Sequence, residues 1–246
     1  MRFLILATGL LALAAPAMSA TIDISSFSKD AYTSAVSGFA SAVVEDFETF
    51  PEGNVANGFS TAVGSFSSLG GIGSGGSVTG AGFANDGSLL AVRDGNVFGR
   101  TSTTAQITGN AGDDRFLDSN DTYGIRWDVS LGGSMFDRIL FSLTDAADSG
   151  ARLVLSVAGA STVISGLANG SQRLIDIDLG GSFSSASVFL TSTNADLTTM
   201  RRNDGFSIDD IAVSAVPLPA SSLLLLGAIG GFAAMARRRR TVPVQA

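Results

Sequence analysis

Short segments in which apolar and polar side chains alternate recur along the middle of the chain. In the segment YGIRWDVSL, residues 123–131, this alternation places Ile125, Trp127 and Val129 on one face. Six similar segments follow between turns rich in Gly, Asn, Asp and Ser: RILFSLT, ARLVLSVAG, STVISGL, RLIDIDLG, ASVFLTST and GFSIDDIAVSAV. This spacing, with almost no long helical pattern, predicts an all-β fold, an antiparallel β-sandwich of jelly-roll type.

One short helix is predicted ahead of these strands. Ser28 is placed to cap a helix over residues 29–39. Four large apolar residues lie roughly on one side of that helix: Phe27, Tyr32, Val36 and Phe39. Residues 51–82 are rich in Gly and Ser, which is typical of a loop or of a weakly specified strand.

Residues 1–20 have the pattern of a secretory signal peptide. Arg2 precedes an apolar run, and small residues follow Pro16. Cleavage is expected after Ser19, and cleavage after Ala20 is nearly as compatible with the pattern. The alternative is a permanent membrane helix, which the shortness of the apolar run disfavours.

The segment between the two termini is strongly acidic. All 22 Asp and Glu residues lie between Asp23 and Asp210, whereas five of the 15 Lys and Arg residues lie outside residues 21–215. Residues 21–215 therefore carry 10 basic and 22 acidic side chains, a net charge of −12. Such a body repels nucleic acid and anionic membrane surfaces, so neither is a predicted partner. It is compatible with cation binding.

The chain contains no Cys and no His. Without Cys, an exported body depends on its hydrophobic core and gains nothing from disulfides. Without His, Ser-His-Asp and Cys-His catalysis and His-based zinc sites are excluded.

The C-terminal segment has three parts in a fixed order. The first is the motif VPLPA, made of Val216, Pro217, Leu218, Pro219 and Ala220. The second is an uncharged stretch over residues 218–236, close to the minimum length of a transmembrane helix. The third is a basic cluster, Arg237, Arg238, Arg239 and Arg240. By the positive-inside rule the arginines are cytoplasmic and the body lies outside the inner membrane, which is the orientation that a signal peptide also requires.

This arrangement resembles the PEP-CTERM protein-sorting signal, in its VPLPA-CTERM variant. The resemblance implies recognition by an exosortase, a membrane-embedded protease that cleaves near the motif and releases or transfers the body to the cell surface. It covers only residues 216–240. The alternative is an ordinary single-pass anchor, which accounts for the hydrophobic stretch but not for the motif.

The body also resembles domains that carry this tail. In those domains a short helix leads into a strand ending in Asp-Phe-Glu, as at residues 46–48, and the last strand reads like residues 206–211. The resemblance implies a jelly-roll module, and some such modules are associated with carbohydrate binding. It supports the fold more than an activity.

Two acidic clusters flank the body and predict a calcium site. Asp46 and Glu48 share one side of an extended segment, whereas Phe47 points the other way. The apolar alternation slips at Asp209 and Asp210, so a β-bulge is predicted there. If the first and last strands are neighbours, the four carboxylates converge on one Ca²⁺, which binds oxygen ligands. The alternative is a solvated acidic strand edge.

Two further groups of acidic residues are interpreted as a polar surface loop and as a turn. Asp113, Asp114, Asp118 and Asp121 are dense enough for a calcium loop but lack the EF-hand spacing. The segment TDAADSG, residues 144–150, is interpreted as a turn between strands.

These patterns predict a structural or adhesive protein rather than an enzyme. An exported acidic β-sandwich is expected at the cell surface or in the extracellular matrix, with calcium or polysaccharide as the candidate ligand. The alternative is a secreted, glycoside-hydrolase-like enzyme, which requires two carboxylates across a sugar-binding cleft. A body without any ligand, acting as a coat component, is a third possibility. Trp127 is predicted to be buried rather than to form a sugar-stacking platform.

Overall fold

The computed structural model describes residues 19–71 and 88–216. These residues form two packed antiparallel sheets, a two-stranded hairpin and two short helices. Most of the predicted signal peptide and the tail beyond Val216 lie outside the described residues, and so does the transmembrane helix expected at 218–236. Within the described ranges, no helix is long and apolar enough to cross a membrane.

The helices are α1 (Lys29–Ser37) and α2 (Thr104–Thr108). The strands in the first part of the chain are β1 (Thr21–Ser26), β2 (Ala42–Glu45), β3 (Gly53–Val55), β4 (Phe59–Thr61), β5 (Gly64–Ser68), β6 (Leu90–Arg93), β7 (Asn96–Val97), β8 (Arg100–Thr101) and β9 (Phe116–Asp118). Those in the second part are β10 (Gly124–Val129), β11 (Met135–Thr144), β12 (Arg152–Val157), β13 (Ala160–Ser165), β14 (Gln172–Phe183), β15 (Ala186–Thr193) and β16 (Ser207–Val216).

The larger sheet has the strand order β1-β14-β11-β16-β9-β6-β3, and β2 also pairs with β16. The smaller sheet has the order β13-β12-β15-β10-β5-β4. Every pairing in both sheets is antiparallel. The expected all-β sandwich is confirmed, and the Gly- and Ser-rich segment contributes β3, β4 and β5 to it.

The core lies between the two sheets and is built from the alternation that the sequence shows. Ile125, Trp127 and Val129 of β10 are buried, whereas Arg126 between them is exposed. The indole of Trp127 packs edge to face against Phe141 of the larger sheet, with the two ring centroids 6.2 Å apart. Its Nε1 donates a hydrogen bond to a backbone carbonyl at 3.1 Å, so the one polar atom of this buried ring is satisfied. The predicted burial of Trp127 is confirmed.

Helix α1 covers the outer face of the larger sheet. The side chain of Ser28 accepts a hydrogen bond from the backbone N–H of Ala31, as expected of an N-cap. Tyr32 packs with Leu140 and Leu174 of the sheet, and the other residues of the predicted apolar face lie around it. The helix ends at Ser37, two residues before the predicted limit.

Candidate functional site

The aspartate pair, Asp209 and Asp210, lies at an irregularity in β16. Leu140 of β11 pairs with Ala212, whereas Ser142 pairs with Asp209, so β16 has one more residue than β11 over this interval. Asp210 has a φ of 47°, in the left-handed region. The predicted β-bulge is confirmed, and it explains how apolar residues on both sides of the aspartate pair are buried.

Strand β2 ends beside this bulge, because its last residue, Glu45, pairs with Ile211 of β16. Asp46 follows directly. Burial and the nearby charge of Asp46 raise the pKa of Asp210 to about 6. Of the first acidic cluster, Asp46 therefore lies near the aspartate pair, as expected.

Hydroxyl groups from the segment before α2 surround the aspartate pair. Asp209 Oδ2 accepts hydrogen bonds from Ser102 Oγ at 2.6 Å and from the backbone N–H of Thr103 at 2.9 Å. Thr104 Oγ1 lies 2.9 Å from Asp210 Oδ1, and Thr103 Oγ1 also contacts Asp210. Burial, and then the charge of Asp210, raises the pKa of Asp209 well above its ordinary value. These contacts make the aspartate pair part of a buried polar network.

The four carboxylates predicted to bind calcium do not form one compact group. In residues 19–71 and 88–216, no three acidic side chains are arranged so that they could hold a metal ion. Glu48 accepts a hydrogen bond from the backbone N–H of Arg115 at 2.8 Å, and Asp209 is enclosed by hydroxyls. Calcium at Asp46, Glu48, Asp209 and Asp210 stays a prediction, to which this geometry adds no support.

A pocket of about 310 Å³ lies at one end of the sandwich. The loops after β7, β9, β11, β13 and β15 meet there, because Thr144 at the end of β11 pairs with the first residues of both β14 and β16. We call it the end pocket; it is lined by Phe98, Arg100, Asp121, Asp145, Asp148, Ser149, Asn169, Asn203, Asp204 and Gly205.

A buried ion-pair network forms one wall of the end pocket. Asp118 lies 2.9 Å from Arg93 Nε and 2.9 Å from Arg100 Nη1, and Arg100 Nη1 lies 3.3 Å from Asp121. A Cβ atom on Gly205 would overlap both the Arg100 guanidinium and the Asp121 carboxylate, so glycine is required for this packing. The interpretation of Asp118 and Asp121 as surface-loop residues is wrong, because two arginines distant in sequence draw them into the interior.

Two further carboxyl groups of the end pocket are buried, and backbone N–H groups donate hydrogen bonds to both of them. Asp145 Oδ1 accepts from the backbone N–H of Gly170 at 2.6 Å. Asp204 accepts from two backbone N–H groups of the β11–β12 loop at 3.2 and 3.3 Å. Burial raises the pKa of Asp145 to about 6, and burial together with a hydrogen bond to Asp148 raises that of Asp204 to about 6.

Phe98 stands at the end pocket with 63 % of its surface exposed. It occupies the turn between β7 and β8 with a φ of 54°. The next residue, Gly99, has a φ of 105°, and a Cβ there would lie 2.5 Å from Asn169 Oδ1 and 2.6 Å from Asp145 Oδ1. The β7–β8 hairpin, which carries the phenyl ring, therefore packs closely against Asn169 and Asp145 of the pocket.

Sequence reasoning did not find the end pocket. Its residues come from five loops, and the turn interpretation of residues 144–150 described only their local role. The Asp and Asn residues at turns were a weak indication of these loops, since Asp and Asn tolerate the left-handed backbone conformation. Four pocket residues have that conformation: Phe98, Asp121, Asp145 and Asn203.

Comparison with known proteins identifies no relative: no protein-family model matches the chain, and no curated protein matches it.

Proposed function

We propose that this chain is an exported, surface-sorted structural or adhesive protein whose acidic β-sandwich, of jelly-roll type, binds polysaccharide in the end pocket. The observation that carries the proposal is the pocket itself, where carboxylate, amide and guanidinium groups lie beside an exposed phenyl ring. Its volume of about 310 Å³ falls at the lower end of the range for ligand sites, about 300–1,000 Å³. That is room for a single sugar unit of a chain.

The lining suits a polyhydroxylated ligand. Sugar hydroxyls both donate and accept hydrogen bonds, and the pocket offers acceptors on Asp145 and Asp148 and amides on Asn169 and Asn203. The exposed ring of Phe98 supports packing against the apolar face of a sugar. Loops at the end of a β-sandwich are a usual location for binding sites, because the sheets hold them in place.

Sorting is the second part of the proposal and rests on sequence. The signal-peptide pattern, the VPLPA motif and the arginine cluster support export, a transient stay in the inner membrane through residues 218–236, and processing by an exosortase-type protease. In this view the body reaches the cell surface or the medium.

Binding to an array of bacterial polysaccharides, measured with the full chain in mild detergent, tests the proposed ligand class. Phe98→Ala should weaken binding about tenfold, since it removes the exposed ring at the pocket. Phe189→Ala is the matched control, because Phe189 is a half-buried phenylalanine of β15 that does not line the end pocket. Equal losses in the two variants, or no glycan bound by the unaltered chain, would contradict the proposal.

A glycan-hydrolysing enzyme is the second candidate, and one observation favours it. Asp145 and Asp204 line the same open pocket and both have a pKa raised to about 6, as a general acid requires. Hydrolysis predicts release of shorter sugars from a bound polysaccharide, abolished by Asp145→Asn or Asp204→Asn. Binding without product release favours the adhesive function.

A further inference from the structure

We infer that the end pocket selects polysaccharides whose sugar units carry free primary amino groups, and binds each such unit through its ammonium group. This inference rests on the proposed function, and it names the ligand class that the same pocket would take. It predicts that neutral sugars bind more weakly and that uronic acids are rejected.

The wall of the end pocket carries more acidic than basic groups. Four carboxyl groups line the pocket, those of Asp121, Asp145, Asp148 and Asp204, against the single guanidinium of Arg100. Arg100 is already engaged by Asp118 and by Asp121. Asp145, Asp148 and Asp204 remain, and a further cation beside them is Arg201, which interacts with Asp204. The pocket therefore keeps a net negative potential, which attracts a cation and repels a carboxylated sugar.

The arrangement of these carboxylates favours an organic cation over a metal ion. Calcium needs about six to eight oxygen ligands around one point. Among the described residues no three acidic side chains are placed to hold a metal ion. In the pocket, Asp204 contacts Asp148, whereas Asp145 is hydrogen-bonded to the backbone of Gly170. A cavity of about 310 Å³ with amide and aromatic groups between the charges fits a ring-sized cation that also bears hydroxyls.

The partners of Asp145 and Asp204 leave them able to gain from a bound cation. Neutral backbone N–H groups donate hydrogen bonds to both, and Asp204 also has a hydrogen bond with Asp148. An ammonium group would replace part of the hydration lost on burial with a charge-assisted hydrogen bond, which is about twice as strong as a neutral one. The Phe98 ring adds an aromatic face that also attracts cations.

The pocket carboxyls also make the binding depend on pH. Asp145 faces Arg100, Asp118 and Asp148, and Asp204 faces Asp148 and Arg201. With a pKa of about 6, both groups are charged above that pH and protonated below it. A bound ammonium favours the charged form, so affinity should fall as the pH drops through about 6.

Titration calorimetry with three oligosaccharides of equal length tests the inference on the full chain in detergent. The probes are an oligomer of glucosamine, its fully N-acetylated form and an oligomer of glucuronate. At about neutral pH and physiological salt we expect the glucosamine oligomer to bind at least about tenfold more tightly than the N-acetylated form, with no uronate binding. The preference should shrink at about pH 5.

Variants locate the effect, since an acidic protein also attracts cations without a site. Asp145→Asn and Asp204→Asn should each reduce the preference for the amine at least about fivefold. Asp23→Asn, an exposed residue of β1 outside the pocket, should leave it unchanged. A lysine peptide of matched charge should bind more weakly than the glucosamine oligomer.

Each contrary result has a distinct meaning. Equal affinity for the amine and N-acetyl forms overturns this inference but leaves polysaccharide binding intact. A preference that survives Asp145→Asn and Asp204→Asn, or a lysine peptide that binds as well as the glucosamine oligomer, overturns the assignment to the end pocket. The absence of binding to any oligosaccharide overturns the proposed function together with this inference.

Discussion

Asp209 carries a carboxyl group that is almost cut off from water, with 1 % of its surface exposed. Its Oδ2 accepts three hydrogen bonds from residues 102–104, whereas Oδ1 has no hydrogen-bond partner. A charge at this position would face the carboxyl of Asp210 in a medium of low dielectric constant. Burial therefore favours the protonated form, and the stability of the fold becomes linked to pH.

The sign of that link follows from the raised pKa values. The pKa of Asp210 is raised from 3.8 to about 6, and that of Asp209 is raised well above its ordinary value. In the pH range between the ordinary and the raised pKa values of these two groups, the folded state binds more protons than the unfolded state. The free energy of unfolding should therefore decrease as the pH rises from about 4 through about 6 and beyond.

Asp209→Asn should flatten this pH dependence, because the amide stays neutral. At about pH 8 we expect the variant to equal or exceed the unaltered chain in stability, because a charged Asp209 is disfavoured by burial and by Asp210. At about pH 5 it should be slightly less stable, since its amide N–H groups have no acceptor at the Oδ1 position. Urea unfolding at both pH values measures the difference. Asp23→Asn is the exposed control, and a profile as steep as that of the unaltered chain would contradict the assignment.

At the level of single residues, the sequence predicted what depends on local alternation. The slip of parity at residues 206–213 predicted the bulge at Asp209 and Asp210, and the alternation around Trp127 predicted its burial. The hydroxyls of residues 102–104 and the partners of Asp118 could not be predicted in this way. They lie far away along the chain, and only the sheet topology brings them into contact.

At the level of elements, the strands from β10 to β16 were predictable because each one contains a short alternating or apolar run bounded by turn residues. Helix α2 was missed, because five residues are too few to show a helical period. The end pocket was missed for a related reason. Loops have no periodicity, and the positions of five loops at one end follow from the pairing of β11 with β14 and β16.

Helix α1 provides a test at the same scale. The hydrogen bond from the Ala31 N–H to Ser28 Oγ, at 3.1 Å, satisfies a donor of the first turn. Ser28→Ala should lower the free energy of unfolding by about 1 kcal/mol, and Ser28→Asn should restore most of it. Ser34→Ala, at an exposed position inside the helix, is the matched control and should be neutral or slightly stabilising. Equal losses for Ser28→Ala and Ser34→Ala would contradict the capping role.

The whole molecule joins a well-packed core to an acidic exterior. Trp127 and Phe141 connect the two sheets at the centre, and no disulfide is available to support them. Buried ion pairs join Arg93 and Arg100 to Asp118 behind the end pocket. In the proposed function, the charged pocket at one end of this sandwich would present a binding surface away from the point of attachment.

Processing at the two termini is tested by the intact mass of the protein recovered from the cell surface. If residues 1–19 are removed by signal peptidase and the chain is cut at VPLPA, the mass should correspond to a body that ends within residues 216–220. Loss of the apolar stretch would remove the segment that is predicted to hold the acidic body at the membrane. A mass that retains Arg237 to Arg240 would instead identify an ordinary single-pass anchor.

A double variant separates the motif from the hydrophobic stretch. Pro217→Ala with Pro219→Ala keeps the uncharged residues and the four arginines but removes the prolines by which the motif resembles a sorting signal. We expect this variant to keep its C-terminal segment and to remain in the membrane fraction, because the predicted transmembrane helix would be retained while the expected recognition sequence of the protease would be lost. If the double variant yields the same shortened mass as the unaltered chain, cleavage does not depend on VPLPA. The resemblance to a sorting signal would then be without consequence for this protein.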